Sequence, residues 1–71
     1  MSMFQITFST GNAAFAEGFA YEVENIMDQV ADQLEAGQEF GRLRDSNGNR
    51  VGFWVHGEEA ADGGVKIGGR L

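Results

Sequence analysis

Phe4, Ile6 and Phe8 alternate with Gln5, Thr7 and Ser9 at the start of the chain. A period of two belongs to a strand with one buried face, and it predicts a first strand over residues 3–9. The following TGNAAFAEG is made of turn formers and small residues, which predicts a connection with Phe15 as its apolar anchor. From Phe19 the period changes. Phe19, Val23, Ile26, Met27, Val30 and Leu34 fall on one stripe of an amphipathic helix expected over Phe19 to Ala36. Gly37, able to adopt the left-handed conformation, is the expected stop.

GRLRDSNGNRVGFW, Gly41 to Trp54, reads as two strands around a turn. A two-residue Asn47-Gly48 loop would pair Leu43 with Gly52 and Arg42 with Phe53, mixing charged and apolar residues on both faces. A three-residue loop, Ser46-Asn47-Gly48 with Gly48 left-handed, pairs Leu43 with Val51 and Gly41 with Phe53. One face then holds Leu43, Val51, Phe53 and Val55, and the other Phe40, Arg42, Arg44, Arg50 and Trp54. The second register separates core from solvent and is the one expected.

These elements predict an α+β fold of order β-α-β-β, with a three-stranded, mainly antiparallel sheet and one amphipathic helix packed on one face. The third strand is expected between the first two, because every neighbour is then antiparallel. Residues 1–56 are expected to form the single domain. Residues 57–71, polar and glycine-rich, are expected to form a flexible tail with a short edge strand at 65–71. The expected core is Phe4, Ile6, Phe8, Val23, Ile26, Val30, Leu34, Leu43, Val51 and Phe53.

At 71 residues a single core is marginal, and without cysteine no disulfide supports it. The N-terminus has neither a basic leader nor a long apolar run, so a cytoplasmic location and no membrane association are expected. The formal net charge of -6 is distributed unevenly. Residues 1–41 hold seven acids and no Lys or Arg, whereas residues 42–71 hold four acids and all five basic residues. Such a chain is repelled by nucleic acid at long range and attracted to basic surfaces, including those that bind nucleic acid.

No catalytic constellation stands out. Nucleophilic catalysis needs a nucleophile beside a base, and with no Cys and His56 as the only histidine, a surface role for His56 is expected. GGVKIGG lacks the Gly-Lys-Ser/Thr ending of a phosphate-binding loop. Asp45-Ser46-Asn47-Gly48-Asn49 begins like a calcium loop, but Arg50 stands where the loop requires Gly, and His56 where it requires the bidentate Glu. No enzyme activity, cofactor or metal is expected.

Two surfaces are candidates for binding. Glu24, Asp28, Asp32 and Glu35 follow at spacings of four, four and three along one helix stripe, with Tyr21 before them and no basic residue at a partner position. Four residues rise about 6 Å along a helix, comparable with the separation of successive phosphates along a strand. Such a row can enter a groove that otherwise holds DNA or RNA. The second surface is the sheet face with Phe40, Arg42, Arg44, Arg50 and Trp54. Arginines interleaved with aromatics can stack single-stranded nucleic acid, but the net charge argues against that, and no direct nucleic-acid contact is expected.

In FQITFST with NAAF, then EVENIMDQVADQLEAG, then the Gly-x-Leu-x-Asp-x-Asn-Gly-Asn hairpin, the chain resembles small acidic proteins encoded by phages and prophages of proteobacteria. The resemblance covers roughly the first 55 residues, and the chain departs from it by continuing past Trp54. It implies no catalytic residues. At the level of class, it implies similarity to anti-CRISPR inhibitors, several of which imitate nucleic acid. The expected partner is therefore a basic nucleic-acid-binding protein or a CRISPR effector complex of the host. The alternative is a structural or regulatory phage protein that self-associates, as a homodimer, through Phe40 and Trp54.

Overall fold

The computed structural model describes residues 2–59 and 65–66. Its elements are β1 (Ser2–Phe8), α1 (Ala13–Glu17), α2 (Phe19–Glu35), β2 (Phe40–Arg44), β3 (Arg50–Glu59) and β4 (Val65–Lys66). The sheet order is β1-β3-β2, antiparallel throughout, with β4 paired to the end of β3. This is the expected α+β arrangement, with the third strand central. β3 runs to Glu59, beyond the boundary expected at 56. Of the expected 65–71 strand, Val65–Lys66 pairs with β3, and the remainder lies outside the described residues.

Part of the predicted connection is the short helix α1, whose Phe15 is buried and stacks on Phe8. Gly18, extended at φ -164°, separates α1 from α2. At the far end of α2 the Gln38 N–H reaches the Gln33 carbonyl and the Gly37 N–H reaches that of Leu34, at 3.1 and 3.0 Å. Gly37 has φ +87°, so the helix closes with the left-handed glycine motif the sequence predicts.

The hairpin register corrects the sequence reading. Its turn is the three-residue one, with Gly48 at φ +85° and the Gly48 N–H donating to the Asp45 carbonyl at 3.0 Å. Arg44 pairs with Arg50, but Leu43 then pairs with Gly52, Arg42 with Phe53 and Gly41 with Trp54. A bulge at Val51 supplies one extra residue to β3, so everything beyond it follows the register expected only for the shorter loop. Val51 stays inside, Trp54 turns to the helix side, and Phe53 and Val55 turn away.

Two observations explain this choice. Gly52 is squeezed against β1, where a Cβ would lie 1.9 Å from the Thr7 carbonyl oxygen, so the position opposite Phe8 accepts only glycine. The shift also buries the larger apolar ring. Trp54 is 0% exposed, whereas Phe53 is 46% exposed.

The core joins Phe15, Ile26, Val30, Leu43, Val51 and Trp54, with Ile6 and Phe8 packed against it. Ile26, Val30, Leu43 and Val51 are buried as expected, and Val23 is half-buried. Phe4 and Leu34, expected inside, are 45% and 40% exposed. The cause is the placement of α2, which packs chiefly on β2 rather than across the middle of the sheet. The helix side of β1 is consequently incompletely covered.

Candidate functional site

With successive helix residues about 100° apart, α2 divides into three sectors. Glu24, Asp28, Asp32 and Glu35 occupy the first, and Tyr21 lies on the same side. Asn25, Gln29 and Gln33 form the second. Val23, Ile26, Val30 and Leu34 form the third. The apolar sector faces the core through Ile26 and Val30.

The amide sector faces the outer edge of β2. An edge strand exposes alternate peptide groups, here those of Phe40, Arg42 and Arg44. Gln29 treats Arg44 as a neighbouring strand would: its Nε2 donates to the Arg44 carbonyl at 2.6 Å, and its Oε1 accepts from the Arg44 N–H at 3.0 Å. Gln33 donates to the Arg42 carbonyl at 3.2 Å, and Gln38 to that of Phe40 at 3.1 Å. Asn25 adds a longer contact to Arg44, at 3.5 Å. The remaining oxygen of Gln33 accepts the buried indole N–H of Trp54 at 2.7 Å. Gly41 makes this possible, because a Cβ there would overlap the Gln33 amide and lie 2.6 Å from the indole nitrogen.

The sequence reading overlooked this ladder, although its signal was available as three amides spaced by four between an acidic and an apolar stripe. It also overlooked two buried carboxylates. Glu22 accepts the Ser46 N–H at 3.0 Å and the Ser46 hydroxyl, tying α2 to the hairpin turn. Asp45 accepts the Asn47 and Asn49 N–H groups at 3.0 and 2.9 Å, and the Asn12 side-chain amide at 2.8 Å. The Asn12 hydrogen bond above all, helped by Asn49 and Asn47, holds the Asp45 carboxyl below its ordinary value. The Asp45 carboxylate oxygens, which would open a calcium loop, are thus occupied by internal donors. No group of three metal-ligating side chains occurs among the described residues.

The acidic sector is left to solvent. Glu24, Asp28, Asp32 and Glu35 are all exposed, as is Tyr21. Among the described residues none of the four carboxylates has a cationic partner. They are presented on a helix whose other two sectors are bound to the protein.

The second candidate surface is altered. Phe40, Arg42, Arg44 and Arg50 are exposed, but Trp54 is buried on the opposite side of the sheet, and Phe53 occupies the face instead. Arg44 donates to the Gly48 carbonyl at 2.9 Å and so braces the turn. His56 is exposed, within 3.2 Å of the Ser2 hydroxyl and beside the Phe4 ring.

Among the described residues, no helix is long and apolar enough to cross a membrane. Comparison with family models, curated proteins and solved structures finds no match to this chain.

Proposed function

We propose that the chain is a non-enzymatic binding protein that places its acidic helix face in the basic groove of a bacterial nucleic-acid-handling complex and thereby excludes nucleic acid. The resemblance to phage proteins implies a CRISPR effector complex as that partner, with the chain acting as an anti-CRISPR. The observation that carries the reading is the exposed row of Glu24, Asp28, Asp32 and Glu35 without a cation among the described residues. Like charges at these spacings each cost the helix roughly 0.2–0.5 kcal/mol. A basic groove converts that repulsion into attraction while displacing the counterions that nucleic acid would displace. Tyr21, exposed beside the row, adds an aromatic contact.

The test begins with affinity capture by a tagged copy from a bacterial lysate. DNA binding by the captured complex is then measured by electrophoretic shift, with and without added protein. The wild type should block the shift, with an effect that weakens steeply as salt is added. A variant combining Glu24→Gln, Asp28→Asn, Asp32→Asn and Glu35→Gln should fold at least as well and fail to block. If it blocks undiminished while reversal of Arg42 and Arg44 abolishes the effect, the working surface is the sheet and this reading is wrong.

A further inference from the structure

The two edges of the sheet are treated differently. The outer edge of β2 is covered by amides from α2 and by Gln38. The outer edge of β1 has neither a strand neighbour nor a side-chain hydrogen bond to its backbone among the described residues. The Ser9 N–H donates to the Val51 carbonyl at 2.9 Å, which fixes the alternation. Met3, Gln5 and Thr7 turn their peptide groups to β3, whereas Ser2, Phe4, Ile6 and Phe8 turn theirs outward. Natural edge strands carry charge, proline or a bulge against unwanted pairing. SMFQITF has neither a charged residue nor proline, and its ladder with β3 is uninterrupted over seven residues.

We infer that this chain forms a two-fold homodimer by antiparallel pairing of β1 with β1 of a second copy, giving one continuous sheet. This interface differs from the aromatic sheet face and does not depend on the acidic helix. The register follows from the outward peptide groups. Centred on Gln5, the pairing sets Phe4 against Ile6 and Ser2 against Phe8 of the partner, and engages all four outward residues of each copy. That gives about eight new hydrogen bonds. Parity places Phe4, Ile6 and Phe8 of both copies on the helix side, where Phe4 is otherwise half exposed.

A second copy is the occupant that the charges favour. The strand is neutral in a chain of net charge -6, so two copies meet there without opposing charges. Because α2 lies over β2, the paired helices stand about five strand spacings apart, roughly 24 Å. That exceeds the Debye length of about 8 Å at physiological salt, so their acidic faces are screened from one another. Face-to-face contact through the outer sheet surface would instead bring Arg42, Arg44 and Arg50 of both copies together.

At the two-fold axis Gln5 meets Gln5 of the partner, exposed on the side away from the helices. Sedimentation equilibrium over a concentration series should show a wild-type dimer. Gln5→Lys and Gln5→Glu should each weaken it about fivefold or more while leaving Trp54 fluorescence unchanged. An equimolar mixture of the two variants should recover dimerisation, because opposite charges then meet at the axis. A wild type that stays monomeric at about 1 mM, variants that dimerise as the wild type does, or a mixture that stays weak would each overturn the inference. If a variant fails to fold, hydrogen exchange on the wild type decides. Protection of the Phe4, Ile6 and Phe8 amides that rises with protein concentration supports the dimer, and protection independent of concentration refutes it.

Discussion

Replacing Gln33 with leucine isolates the contribution of one side chain to the union of helix and sheet. Gln33 accepts the Trp54 indole N–H at 2.7 Å and donates to the Arg42 carbonyl at 3.2 Å. The carbonyl lies on a strand edge and has water within reach, but Trp54 is 0% exposed and its N–H has no second partner among the described residues. Stranding a buried donor costs about 1–3 kcal/mol. Leucine and glutamine have nearly equal helix propensity, so the helix itself adds little to the change. A domain of this size has a total stability of roughly 4–10 kcal/mol, of which the loss is a substantial share. At about 4–8 °C per kcal/mol, the melting temperature should fall by roughly 5–20 °C.

Urea unfolding followed by fluorescence reads this loss directly, since Trp54 is the only tryptophan. Gln33→Glu keeps an acceptor for the indole and should cost less than Gln33→Leu. Circular dichroism extends the measurement to Trp54→Phe and to the double variant. Removing the donor should recover part of the loss, with a coupling of about 1 kcal/mol or more. An unchanged midpoint for Gln33→Leu, or a coupling near zero, would refute the reasoning.

Three further outcomes follow from the same structure. Gly52→Ala should largely unfold the domain, because its Cβ would meet the β1 backbone rather than a movable side chain; a melting curve like that of the wild type would refute the register. Asp45 is held below its ordinary value, so the stability it adds is present above about pH 4 and is lost as pH falls through its lowered folded-state value; Asp45→Asn should destabilise at neutral pH, and melting curves of the two proteins should converge as the solution is acidified below that value. Iodide should quench Trp54 weakly in the native state and strongly in urea, and strong native quenching would return Trp54 to the outer face.

Local pattern determined the order of β1, α2, β2 and β3, the extent of α2 to within one residue, and the left-handed glycines at positions 37 and 48, but not the short helix α1. Each depends on spacings of a few residues or on a local backbone requirement, and such information lies within a short window of the chain. The exposure of Glu24, Asp28, Asp32 and Glu35 was legible for the same reason, because residues three and four apart share a helix face. Only the tertiary structure decided which of Phe53 and Trp54 enters the core. One bulged residue reverses every side chain beyond it, and that choice rests on a close approach of Gly52 to Thr7 across 45 residues of chain. The offset of α2 over β2 was likewise invisible locally. It turns Asn25, Gln29 and Gln33 from apparent surface residues into the cover of one sheet edge, and among the described residues gives the edge of β1 no such cover, because a side-chain amide has the donor and acceptor of a missing strand only when the helix is placed beside it.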